Sequence, residues 1–196
     1  MKTKTLFISL IAFVLFSCNQ GNKEAIKEYQ ECMLTLLSDD LLSIELINER
    51  HKMCLDSILI KYDLKENHEF LANFDFLPEI KETREKLINL LIINVNKLLQ
   101  NNQWGYENIG LNWRNNEVAR LDFDGTMFKL DFYAMTGIML EWAIDETFTG
   151  RYRIEVEDNR IYVVLVNSGE ESLMRLRKNN QGRFYLDGEY RFWQEQ

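Results

Sequence analysis

The chain has 196 residues, 46% of them hydrophobic and 28% charged, with one Pro, three Cys and a formal charge of −8. These figures exclude a disordered chain, a collagen-like repeat and a disulfide scaffold, and they allow one or two globular domains. An isoelectric point of about 4.9 argues against nucleic-acid binding, because phosphate backbones reward clustered Lys and Arg.

Lys2 and Lys4 precede an uncharged run from Leu6 to Phe16 that is broken only by Ser9. A stretch this short does not span a hydrocarbon core of about 30 Å; it has the length of a signal-peptide hydrophobic region. The run ends in Leu15-Phe16-Ser17-Cys18, a small residue directly before a cysteine with an aliphatic one two places earlier. This tetrapeptide resembles the lipobox of bacterial lipoproteins. The resemblance implies cleavage before Cys18, a diacylglycerol on its thiol and an acyl chain such as palmitate on its new amine. It also implies a bacterial membrane protein whose body lies in the periplasm or on the cell surface. Residues 1–17 are then signal peptide and residues 18–22, polar in Asn19-Gln20-Gly21-Asn22, a lipidated tether. Without residues 1–17 the chain keeps 21 bases against 31 acids, a net −10 that an anionic bilayer surface repels.

From Lys23 to Gln103 the apolar spacing is helical, and residues 23–103 are expected to be a helical region. Ile26, Tyr29, Met33 and Leu36 share one stripe, and Ser38-Asp39-Asp40 offers N-cap oxygens for the next helix. That helix carries Ile44, Ile47, His51, Cys54 and Ile58 on one face. The segment Asp63 to Leu77 fits either a short helix or a loop packed by Phe70, Phe74 and Phe76. Pro78 suits the first turn of a further helix that runs through Leu87, Leu91 and Val95 to the Gln100-Asn101-Asn102 cluster.

From Trp104 the period falls to two, and residues 104–196 are expected to form an antiparallel β domain. Val118 to Phe132 reads as a hairpin around Asp124-Gly125, a type I′ turn that would set Leu121 against Phe128 and Ala119 against Leu130. Further strands are expected at 151–156, 160–166, 172–177, 183–186 and 190–193, separated by turns such as Asp158-Asn159. The expected fold class is α+β, with antiparallel helices followed by a meander that forms a curved sheet or small barrel. The helical region holds eight Lys and two Arg, the β domain two Lys and nine Arg, and Arg suits cross-strand pairing with carboxylates. Together, the lipobox cysteine, the tether and the terminal meander resemble bacterial lipoproteins with lipocalin-like domains. In place of that family's Gly-x-Trp the chain has Gln103-Trp104-Gly105.

Catalytic candidates have plainer explanations. His51 and Cys54 share a helix face and would suit a thiol nucleophile, or a soft metal site with Cys32, Met33 and Met53; their stripe equally suits a core histidine and a buried thiol. Helix lengths counted from a turn near Asp39 set Cys32 and Cys54 too far apart for a disulfide, which favours two buried thiols, whereas a turn nearer Ser43 would bring them together. The acid groups Asp145-Glu146, Glu155/Glu157 with Asp158, and Glu170-Glu171 read as solvated charge, since strand neighbours point to opposite faces. The Asp122/Asp124/Asp131 group lacks the ordered loop of a calcium site, and no nucleophile elbow, Walker loop or dinucleotide fingerprint occurs. The expectation is a non-catalytic protein without metal or cofactor, anchored through Cys18, that binds a small ligand or a protein partner. Trp104, Trp113, Trp142 and Trp193 are the candidate binding aromatics. The alternative is an assembly or immunity-type factor that meets its partner with an acidic surface.

Overall fold

The computed structural model describes residues 22–37, 41–108, 117–136 and 141–195. Helices come first: α1 (residues 22–34), α2 (Ile44–Lys61), α3 (His68–Asn73) with a following 3-10 turn (Phe74–Phe76), and α4 (Pro78–Gln100). Eight strands follow: β1 (Trp104–Asn108), β2 (Glu117–Asp124), β3 (Met127–Thr136), β4 (Glu141–Glu157), β5 (Arg160–Asn167), β6 (Glu170–Lys178), β7 (Phe184–Asp187) and β8 (Arg191–Gln194). The chain is thus α+β, antiparallel helices followed by a β-meander that closes into a barrel. It divides into two compact units, one ending at Leu91 and the other beginning at Ile92.

The helical unit buries the stripes read from its sequence. Tyr29 and Met33 of α1, Ile47 and Ile58 of α2, and Ile80, Leu87 and Leu91 of α4 are at most 1% exposed. Side chains of this kind contribute about 1.5–3 kcal/mol each when fully buried, so the facing stripes set how the helices pack. The ambiguous segment is a short helix followed by a 3-10 turn, and of its three phenylalanines Phe76 does not pack, being 69% exposed. Asn67 caps α3 by accepting from the Phe70 amide at 3.0 Å, and Phe70 and Phe74 are buried. Residues 38–40 lie outside the described residues; the N-cap of α2 is Ser43, whose hydroxyl accepts from the Leu46 amide at 3.2 Å.

That cap position overturns the expectation of two free thiols. Cys32 and Cys54 are joined in a disulfide, with their Cα atoms 5.9 Å apart. The error lay in the turn: α1 stops at residue 34 while α2 starts only at Ile44, so α2 overhangs α1. Just before α2, Leu41 is buried to 1% exposure. The pair is then centred on Ser43, and the two cysteines fall opposite each other.

Each strand of the barrel pairs antiparallel with its sequence neighbour, and β1 closes the cylinder on β8 through Trp104↔Gln194 and Gly105↔Trp193. In the first hairpin Asp124 pairs with Met127, Phe123 with Phe128 and Leu121 with Leu130. The loop is therefore Gly125-Thr126, not Asp124-Gly125, and the pairing is displaced from the expected one by two residues. Gly125 has φ 57° as the first loop residue, the conformation a type II′ turn asks of it. Asp158 and Asn159, with φ 47° and 59°, form the expected kind of turn between β4 and β5. Strand β4 is much longer than read, because its first ten residues alternate poorly. At Gly150 a Cβ would stand 2.2 Å from the Val166 carbonyl oxygen, so the close approach of β5 there requires glycine.

One end of the barrel is filled. Trp104, Leu121, Phe123, Phe128, Leu186 and Phe192 are at most 6% exposed. The last turns of α4 belong to this unit and cover the same end. Trp104 Nε1 donates to the Leu99 carbonyl at 3.1 Å, and Gln100 Nε2 donates to the Gly125 carbonyl at 2.7 Å and to the Tyr152 hydroxyl at 3.0 Å. The Tyr152 hydroxyl donates in turn to Asn96 Oδ1.

The disulfide closes a segment with a sequence separation of 22, which on chain entropy stabilises the folded state by about 3 kcal/mol. Urea unfolding of the chain with and without reductant, followed by circular dichroism, should show a loss of about that size. The Cys32→Ala/Cys54→Ala variant should lose the difference between the two conditions.

Candidate functional site

The other end of the barrel opens into a cavity of about 730 Å³. Its floor comes from side chains that alternate inward along paired strands: Phe128 and Leu130 on β3, Leu165 on β5 and Met174 on β6. One wall is aromatic. Phe132 meets Phe148 edge-on with ring centroids 6.0 Å apart, and Tyr190 with centroids 5.4 Å apart. Asn167 and Ser172 add neutral polar groups toward the mouth.

The mouth itself is lined by Glu117, Asp145, Glu146, Glu170 and Glu189. A β-bulge explains how two consecutive acids come to line it. The β3–β4 register runs Phe132↔Glu146 and then Tyr133↔Ile144, leaving Asp145 as the extra residue on β4. On a regular strand Asp145 and Glu146 would face opposite ways, the reading made from sequence; the bulge puts both at the cavity. Glu117 accepts from the Tyr106 hydroxyl at 3.3 Å. Among the described lining residues none is Lys, Arg or His.

Elsewhere on the barrel five acids are matched by bases among the described residues. Arg153 forks onto Glu171 with two bonds of 3.0 Å and reaches Glu155 at 2.6 Å. Asp187 sits between Arg177 and Arg191, each at 3.0 Å. These are the cross-strand pairings that the Arg-rich β domain led us to expect. Asp122 pairs with Arg120, and Asp131 with Lys129 at 2.6 Å and the Thr147 hydroxyl at 2.7 Å. Burial pushes the Asp131 carboxyl upward, but those two hydrogen bonds outweigh it and hold the group below the usual range. These acids are structural partners. Among the described residues no group of three or more His, Cys, Asp and Glu is placed to hold a metal.

The described candidate tryptophans, Trp104, Trp142 and Trp193, are not among the residues that line the cavity. Trp104 is wholly buried at the filled end. Trp142 on β4 is 37% exposed, near the exposed Ile144. Trp193 on β8 stacks at 4.7 Å on Tyr185, with the Arg183 guanidinium 5.5 Å from its ring. Trp113 and Cys18 lie outside the described residues. The aromatics that do line the cavity, Phe132, Phe148 and Tyr190, were not singled out. For Phe132 the signal existed in the hairpin alternation, which puts it on the same face as Leu130 and Phe128.

In the helical unit His51 is half-buried on the stripe it shares with Ile47, Cys54 and Ile58. Its Nδ1 shares a hydrogen bond of 2.6 Å with the Tyr29 hydroxyl, and its Nε2 lies 3.6 Å from Asp75 Oδ1. Burial pushes the Tyr29 phenol up to about 12, so it stays protonated. Cys54 is spent in the disulfide, Met33 is buried and Met53 is exposed, which leaves neither a thiol nucleophile nor a soft metal set. The second unit is thus an antiparallel barrel with a cavity open at one end. The chain matches no family model, no curated protein and no solved structure.

Burial holds His51 below its ordinary value of 6.5, with Asp75 opposing the shift and Arg84 adding to it. The unfolded chain therefore takes up this proton first. The stability contributed is complete above pH 6.5 and declines as pH falls below it toward the folded value. Urea midpoints should fall over that window in the natural chain, and fall less in His51→Gln.

Proposed function

We propose that this chain is a lipid-anchored, non-catalytic binding protein of the bacterial envelope, and that its lipocalin-like barrel holds a small ligand with an apolar body. The observation that carries the reading is the cavity. Its volume of about 730 Å³ falls within the range of small-molecule sites, and it has an apolar floor, an aromatic wall and few neutral polar groups. The anchor rests on Leu15-Phe16-Ser17-Cys18, and the Cys32–Cys54 disulfide suits the oxidising compartment that export would supply. Several acyl chains at Cys18, each methylene contributing about 0.8 kcal/mol, hold firmly where one chain binds only weakly. The acidic body stands off the bilayer on its tether.

Two experiments test this reading. The fluorophore N-phenyl-1-naphthylamine, neutral and apolar, should bind the purified body saturably and brighten. Ser172→Trp, which adds bulk at the mouth without touching the filled end, should weaken that binding by about tenfold with an unchanged circular dichroism spectrum. No binding, or binding indifferent to Ser172→Trp, overturns the ligand site. For the anchor, radioactive palmitate should label the natural chain in bacteria and fail to label Cys18→Ala; an unlabelled natural chain overturns it.

A further inference from the structure

Resting on the reading of the cavity as a ligand site, we infer that its ligand is a small organic cation: an ammonium group carried on an apolar body. Three independent features point the same way. First, the cavity is large enough and apolar enough at its floor to seat a hydrocarbon or aryl body against Leu130, Leu165 and Met174.

Second, every charged side chain among its described lining residues has the same sign. Five carboxylates line the mouth, and none of the described lining residues is Lys, Arg or His. Asp145, Glu146, Glu170 and Glu189 have no ion pair among the described residues, whereas five acids on the barrel wall, Glu155, Glu171, Asp122, Asp131 and Asp187, each have a base within 3.2 Å. A concave, low-dielectric wall with charge of one sign at its opening focuses the field into the opening. An entering cation is attracted, and a carboxylate such as a fatty acid is repelled.

Third, the wall beside those acids is aromatic. Phe132, Phe148 and Tyr190 pack edge-on to one another around Phe132, the kind of surface against which an ammonium gains cation–π attraction. A neutral apolar ligand would use the floor and the aromatic wall but leave the carboxylates idle. A cationic one uses all three.

The test compares three decyl compounds that share one chain and differ in charge: decyltrimethylammonium, decanol and decanoate. Isothermal titration calorimetry on the lipid-free body reads each directly. The ammonium should bind about tenfold more tightly than decanol and decanoate more weakly than either, with the preference shrinking as salt is raised. Glu146→Gln/Glu170→Gln should erase the preference while leaving decanol affinity in place. Glu66→Gln/Glu69→Gln removes the same charge from the helical unit and should leave the preference intact. Equal affinities for all three compounds, or a preference that survives Glu146→Gln/Glu170→Gln, overturn the inference but leave the cavity a ligand site. Ammonium binding that survives Ser172→Trp also overturns it, by placing the cation on the outer surface. Binding of none of the three overturns the inference together with the reading beneath it.

Discussion

Eight strands in sequence order form a sheet with two raw edges unless the first meets the last. Here the meeting is made by the pairs Trp104 with Gln194 and Gly105 with Trp193, and by the Glu195 amide donating to the Gln103 carbonyl at 2.8 Å. Closing the ring pairs the backbone groups that an open edge would present to other chains, and it creates an interior where the meander alone would only curve. Trp104 joins the two ends of this arrangement. Its backbone sits in the closing ladder, its side chain is buried in the barrel, and its indole nitrogen is tied to Leu99 of the helix that covers the same end. A tryptophan that looked like a candidate ligand contact is the residue that seals the barrel.

What was legible in the sequence follows from what periodicity can and cannot encode. The helical stripes and the two-residue alternation were plain, so the order of helices then meander was plain too. The first hairpin shows the limit. Moving the loop by one residue, from Asp124-Gly125 to Gly125-Thr126, shifts the pairing by two, and a shift of two keeps every side chain on its face. Alternation cannot tell those registers apart; only the turn can, and Gly125 serves either turn type. The disulfide shows a second limit. Stripes say which face of a helix is buried but not where one helix stops along its neighbour, and the overhang of α2 past α1 decided whether Cys32 could meet Cys54.

The cavity acids mark a third limit, since Asp145-Glu146 was judged by the rule for a regular strand. A bulge is an exception that composition does not announce, and it is set by how β4 lies against β3. The base pattern was more revealing. Nine of the eleven arginines fall after residue 103, and three of them, Arg153, Arg177 and Arg191, hold strand acids in pairs. The acids at the mouth have no such partner among the described residues, a contrast visible only once the strands are in register.

The stopper at the helix-covered end has a consequence for traffic. With Phe123, Phe128, Trp104 and Phe192 filling that half and the last turns of α4 laid across it, the barrel is a cul-de-sac. Any guest departs by the doorway through which it arrived, and a guest longer than the hollow must leave its tail in water. Such a vessel can store a molecule or deliver it to whatever waits at the doorway, but it cannot serve as a conduit.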